Sequence, residues 1–197
     1  MLNAECRVPF GWLSATYSSF SVHHSALNTM PDMLAKLYTL PPLAPLLEQL
    51  ATDGISVRRA IAPETTIVVD WVRRVFDRGA WADECAVSFA RQPVSCWIAA
   101  ADGAPVGFAC YDATYRNFFG PTGVAPNFRG RRIGQALLLA ALHDMAAQGY
   151  AYAIIGSVGP AAFYSKTVGA VMIEDSAPGI YAGMLRSTPP STEGTGT

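Results

Sequence analysis

Residues 118–156 constrain this chain most. The segment "FFGPTGV" at 118–124 leads into the turn "APNFRGRR", then into "IGQALLLAALHDMAAQG", then into "YAYAIIG" at 150–156. Ile133, Leu137, Leu138, Ala141, Leu142 and Met145 recur at helical spacing and predict one apolar helix face. Gly149 ends that helix. Strand, helix and buried strand in this order predict a β-α-β crossover.

A second period lies upstream. Two apolar runs, 95–100 and 105–111, are joined by Asp102-Gly103, a hairpin signal. "ISVRRA" at 55–60 alternates as a strand. "APETTIVVDWVRRVF" at 62–76 has Pro63 at a helix start and Glu64 in the first turn. Its apolar positions Ile67, Trp71, Val72 and Val75 predict the buried face. A further helix is expected from about Ala82 to Ala90, and a short one within 159–170, begun by Pro160 and ended by Gly169. "VMIE" and "GIYAGMLR" read as two last strands. The order is β-α-α-β-β-β-α-β-α-β-β. It predicts an α+β fold: a central mixed, mostly antiparallel sheet with helices on both faces.

Four segments are expected. Residues 1–32 read as a weakly ordered N-terminal extension. Residues 33–54 read as a lead-in, with a short helix after Pro41, Pro42 and Pro45 that closes at Gly54. Residues 55–186 hold the domain, and the Pro/Gly-rich residues 187–197 read as a disordered tail.

Composition narrows the classes. The net charge of −1 gives no general reason to expect nucleic acid as a partner. No apolar run reaches the ~20 residues of a membrane-spanning helix, and the first 30 residues make a poor signal peptide. The four cysteines, Cys6, Cys85, Cys96 and Cys110, form no C-x-x-C pair, and no Cys/His cluster has zinc spacing. No metal is expected, and the thiols suit a reducing cytoplasm.

Against this neutral background, Arg129, Arg131 and Arg132 stand with Gly130 and Gly134 at a helix start. The first N–H groups of a helix lack partners and carry the positive end of its dipole. Glycine lets an anion come close. A diphosphate would suit such a turn, and a solvated basic cap is the plainer alternative.

The stretch "V-x-P-x-x-R-G-R-R-I-G-Q-A-L" resembles the signature Q/R-x-x-G-x-G/A of the GNAT N-acetyltransferases. Arg129 to Gly134 fill its six positions, with Arg132 where the first motif glycine stands. "AAFYSKTVGAV" is similar to the family's "A-x-x-F-Y-x-K-x-G-F", and Ser157 stands where relatives keep an asparagine. The resemblance covers roughly residues 55–186. It implies acetyl-CoA as cosubstrate. The cofactor contacts it implies are Arg129, Gly130, Arg131, Arg132, Gly134 and Gln135 at the turn, Ser157 and Lys166 beyond it, and backbone groups at Thr122 and Val124. In the family the latter strand splays from the next, and the pantetheine arm enters the gap. Tyr164 is implied as the general acid to the leaving thiolate. The base stays open between Asp112, just past the third strand, and a chain of waters. Tyr111, Tyr115 and Phe119 either line an acceptor pocket or pack.

The implied activity is acetyl transfer to a primary amine of a small molecule or peptide. No membrane partner is expected, and the resemblance makes a homodimer reasonable. A non-catalytic acyl-CoA-binding module and a structural domain with a basic cap are the alternatives.

Overall fold

A computed structural model of the chain describes residues 30–76 and 79–185. The extension and tail expected at the two ends therefore fall largely outside the described residues. Pro31 and Asp32 belong to the fold, however. The carbonyl of Pro31 accepts the Val158 N–H, and that of Asp32 accepts the Ile173 N–H.

The elements in chain order are β1 (Met33–Lys36), α1 (Ala44–Thr52), β2 (Ile55–Arg59), α2 (Thr65–Phe76), α3 (Gly79–Phe89), β3 (Cys96–Ala101), β4 (Ala104–Tyr111), β5 (Phe118–Val124), α4 (Ile133–Ala147), β6 (Tyr152–Ile155), α5 (Ala161–Val168) and β7 (Val171–Met172). They build one sheet in the order β2-β3-β4-β5-β6-β1-β7. Only β5 and β6 pair in parallel, across the crossover helix α4. All other neighbours are antiparallel. The expected mixed, mostly antiparallel sheet is present.

The sheet's far edge differs from expectation. Residues 33–36, in the expected lead-in, form β1 between β6 and β7. "GIYAGMLR" does not add a strand; its Gly179–Tyr181 is a single 3-10 turn. The place beside β6 is taken by β1 from the N-terminal side, and β7 is the outermost strand of this edge.

Two apolar clusters lie on the two faces of the sheet. One packs α4 and α1 against the inward side chains of β4, β5 and β6. α4 is buried almost all round, including Leu137, Leu138, Leu139 and Leu142. Each such side chain contributes about 1.5–3 kcal/mol of transfer free energy. The other cluster packs α2 and α3 on the opposite face, around Phe108, Ile98 and Val72. Here the face predicted for α2 is turned. Ile67 is 60% exposed, and Val68, Val69, Trp71 and Val72 go inside. Val75 packs at the margin of that cluster.

One of the two glycines in β5, Gly123, has a packing reason. A Cβ on Gly123 would sit 2.6 Å from the Phe76 ring, so only glycine lets α2 close over this strand. No helix among the described residues is long and apolar enough to cross a membrane.

Candidate functional site

The turn before α4 is built by backbone geometry. Val124 ends β5, Pro126–Phe128 make one 3-10 turn, and α4 starts at Ile133. Gly130 takes φ 79°, and Arg132, the residue before the helix, takes φ 64° and ψ 8°. The motif's first glycine position thus does demand a left-handed backbone, and arginine adopts it here.

Among the described residues no side chain caps α4. Its first internal bond is Ala136 N–H to the Arg132 carbonyl, 3.1 Å. The N–H groups of Ile133, Gly134 and Gln135 have no partner among the described residues. Arg129, Arg131 and Arg132 are exposed. None is among the ion pairs of the described residues, which hold Arg58, Arg59, Arg73 and Arg91. Arg129 Nε donates to the Val124 carbonyl at 3.2 Å. The Arg131 guanidinium lies 5.5 Å from the centre of the Phe128 ring. Arg132 turns away along the surface to Gln135 Oε1 at 3.2 Å and Gln49 Oε1 at 3.1 Å.

Beside this turn β5 and β6 part. They pair only through Phe118↔Ile154 and Phe119↔Ile155. From there β5 continues through Thr122, Gly123 and Val124 on β4 alone. The divergence has two local causes. Pro121 has no N–H for a ladder. On the other side the chain after β6 is captured elsewhere: Ser157 N–H donates to Asp32 Oδ1 at 2.8 Å, and Val158 N–H to the Pro31 carbonyl at 3.0 Å. A wedge opens, with the edge of β5 on one side and the uncapped end of α4 at its mouth. A Cβ on Gly134 would lie 3.6 Å from Val124 and 3.9 Å from Phe163, so α4, β5 and α5 converge there.

Tyr164, on α5, is 7% exposed. Its ring stands edge-on to Phe163, centroids 5.0 Å apart, and to Phe119, 6.3 Å, at the last paired residue before the wedge. Burial pushes its phenol up to about 12, so it holds its proton at neutral pH.

The other expected residues lie apart. Asp112 is buried, with every side-chain bond going to structure. Its Oδ2 accepts Arg91 at 3.0 Å and the Tyr150 hydroxyl at 2.8 Å, and its Oδ1 accepts the Asn117 N–H at 2.7 Å. It locks the loop between β4 and β5. Lys166 is exposed on α5, and none of the described contacts joins it to the turn. Ser157 takes φ 46° and contributes its N–H to Asp32. Tyr111 and Phe119 are packed, at 1% and 3% exposure, whereas Tyr115 is 61% exposed.

Three groupings escape the sequence reading. The first surrounds Asp144 on α4, which accepts from Arg59 at 2.6 Å, Tyr111 at 2.6 Å and Trp97 at 3.1 Å. Its one legible signal is a lone acid in an apolar helix. The second joins α3 to the segment after β7. The Glu84 carboxylate accepts the Thr114 hydroxyl, and burial pushes it above the usual carboxylate range. Tyr181 is raised by burial and then by the charges of Glu84 and Asp32. Its hydroxyl reaches the end of β6, within 2.8 Å of where a Gly156 Cβ would stand. The third is Cys85, Cys96 and Cys110, whose sulfurs lie within 4.8 Å of one another.

The profile of the acetyltransferase (GNAT) family matches residues 58–169. No curated protein matches the chain. Two solved structures share its fold. A GCN5-related glucosamine N-acetyltransferase region of a fungal multi-domain GH3 beta-N-acetylglucosaminidase superposes with a TM-score of 0.60 at 16% identity, over 73% of this chain and 20% of that one. A GCN5-related N-acetyltransferase from Sphaerobacter thermophilus superposes with a TM-score of 0.58 at 20% identity, over 73% of this chain and 48% of that one. The chain therefore corresponds to under half the length of either.

Proposed function

Since the chain belongs to the acetyltransferase (GNAT) family, we propose that it transfers an acetyl group from acetyl-CoA to a primary amine of a small molecule or peptide. The observation that carries this reading is the wedge between β5 and β6 opening beside the uncapped start of α4. The unpaired amides and Gly130 suit a pyrophosphate, and Arg129 and Arg131 add unanswered positive charge. Arg132, Gln135 and Gly134 shape the same turn. The backbone edge at Thr122 and Val124, where Arg129 holds the Val124 carbonyl at 3.2 Å, suits the amides of a pantetheine arm, as an added strand would. Ser157, which follows β6, and Lys166, on α5, are assigned to the cofactor's approach in this reading.

Tyr164 is the general acid in this reading. The amine nitrogen, neutral when it attacks, forms the C–N bond as the C–S bond breaks. The leaving thiolate takes the phenol proton, and the tyrosinate regains one from solvent. The nitrogen's own proton passes to water. Asp112, already engaged by three donors, is given the role of holding the β4–β5 loop rather than touching the amine. The cytoplasm remains the proposed compartment, since Cys85, Cys96 and Cys110 are all free, and a homodimer the proposed assembly.

The test pairs calorimetry with thiol release over a panel of amines. Tyr164→Phe is expected to lower kcat by roughly 100- to 10,000-fold and leave the acetyl-CoA Kd unchanged. Full turnover in that variant overturns the acid assignment. Acetyl-CoA binding without thiol release from any amine favours the non-catalytic acyl-CoA-binding module, for which the occupied Asp112 carboxylate speaks.

A further inference from the structure

Cys85, Cys96 and Cys110 come from three separate elements, which is why their sequence spacing hides them. Cys96 and Cys110 face each other across the β3–β4 ladder, and Cys85 reaches them from α3. Their sulfurs lie within 4.8 Å of one another, and each residue is 0% exposed. All three are free thiols. They belong to an apolar cluster with Val72, Ala82, Ile98 and Phe108.

Three convergent thiols at this spacing need only a small contraction to hold one soft ion, for which thiolate is the preferred ligand. Zinc would want a fourth ligand. No fourth Cys, His, Asp or Glu joins the group among the described residues, and the burial leaves no open side for water. Charge narrows the choice further. Three thiolates carry −3, so a monovalent ion leaves −2 and a divalent ion −1 in an apolar interior, where net charge is expensive. A trivalent ion leaves the cluster neutral.

We propose that Cys85, Cys96 and Cys110 form a binding site for a trivalent thiophilic ion, of the class that includes arsenic(III). The step balances without oxidant or reductant. Arsenous acid exchanges its three As–O bonds for three As–S bonds, and the three thiol protons leave with the hydroxyls as three waters. Loading follows local opening of α3 over the ladder.

The test uses the reduced full chain, incubated with arsenite and desalted. Native mass spectrometry is expected to show one arsenic gained in place of three hydrogens, with a raised Tm. Cys85→Ala, Cys96→Ala and Cys110→Ala should each lose this species, and Cys6→Ala should keep it. The wild-type mass alone decides the matter if a variant fails to fold, because an ion held by two thiols retains a hydroxyl. No arsenic on the desalted protein, a two-thiol adduct, or cadmium(II) held as tightly as arsenite overturns the proposal.

Discussion

At the first turn of α4 three arginines stand exposed without an acidic partner, whereas about three turns later Asp144 lies under Arg59, Tyr111 and Trp97. Both ends carry the sign of charge that the helix dipole disfavours: cations at its positive end and a carboxylate in its last turn. The two are answered differently. Asp144 is neutralised within the fold, by an ion pair to β2 and bonds from β3 and β4, with Arg59 also 5.4 Å from the centre of the Trp97 ring. The arginines have no such answer from the described residues. A charge placed against the dipole and left open to solvent is a cost to folding that an outside anion would offset. The same mismatch at the other end is answered by the fold's own groups.

Removing Asp144 is the strongest test of that contrast. Asp144→Ala strands Arg59 beside an apolar layer and is expected to cost about 3 kcal/mol, roughly 6–12 °C in Tm for a domain of this size. Acetyl-CoA affinity should hardly move at temperatures where the variant is folded. Burial pushes the Asp144 carboxyl up, but Arg59, Tyr111 and Trp97 outweigh it and hold it below the usual range. Its contribution is therefore complete above the unfolded pKa near ~4 and fades as pH falls through the lower folded value. Tyr111 works the other way. Burial and then Asp144 push it up to about 12, so its contribution is full below the unfolded pKa of ~10 and is lost as pH rises through the folded value. Denaturant titrations from pH 2 to 7 should show a steeper acid loss in wild type than in Asp144→Asn; parallel curves would break the account.

The open end should show the reverse pattern. Arg129→Ala and Arg131→Ala are each expected to weaken acetyl-CoA by about 3- to 5-fold, or ~0.7–1 kcal/mol, and the pair by about 10- to 25-fold if the effects add. The loss should shrink with added salt, and Tm should stay within a degree or two. A double variant that binds like wild type, or that binds worse equally at all salt concentrations, would remove the anion from the explanation.

The same contrast explains what the sequence discloses. Asp102-Gly103, the apolar runs on either side of it and the apolar face of α4 are local patterns, and they specify the hairpin and the crossover. The arginine-glycine turn is local too, so its place at a helix start is legible. The partners of Asp144 are not, because Arg59, Trp97 and Tyr111 meet it only after β2, β3 and β4 have assembled. Met33–Lys36 is illegible for a related reason. Four residues between prolines carry almost no strand pattern, and their partners lie at 152–155. The wedge was expected only from family likeness. Its physical cause, the capture of the Ser157 and Val158 amides by Asp32 and Pro31, depends on that same distant strand.

The finest test concerns Arg132, which holds φ 64° where the family signature has glycine. A left-handed backbone costs a residue with a Cβ roughly 1 kcal/mol, and glycine removes that strain. Glycine also frees the unfolded chain, at a cost of about 0.5–1 kcal/mol, and gives up the bonds to Gln49 and Gln135. Arg132→Gly is therefore expected within about 0.5 kcal/mol of wild type, the opposing effects nearly cancelling. Arg132→Ala keeps the strain and loses the same two bonds, so it should fall below Arg132→Gly despite its stiffer unfolded chain. Both variants remove one charge from the turn, yet only glycine lets a phosphate approach more closely. Acetyl-CoA should accordingly bind Arg132→Gly more tightly than Arg132→Ala by about two- to threefold, a modest share of one charge-dipole interaction. Equal affinity and equal Tm in the two variants would mean that neither the backbone angle nor the space above it matters at this turn, and would leave the guanidinium charge as the position's sole contribution.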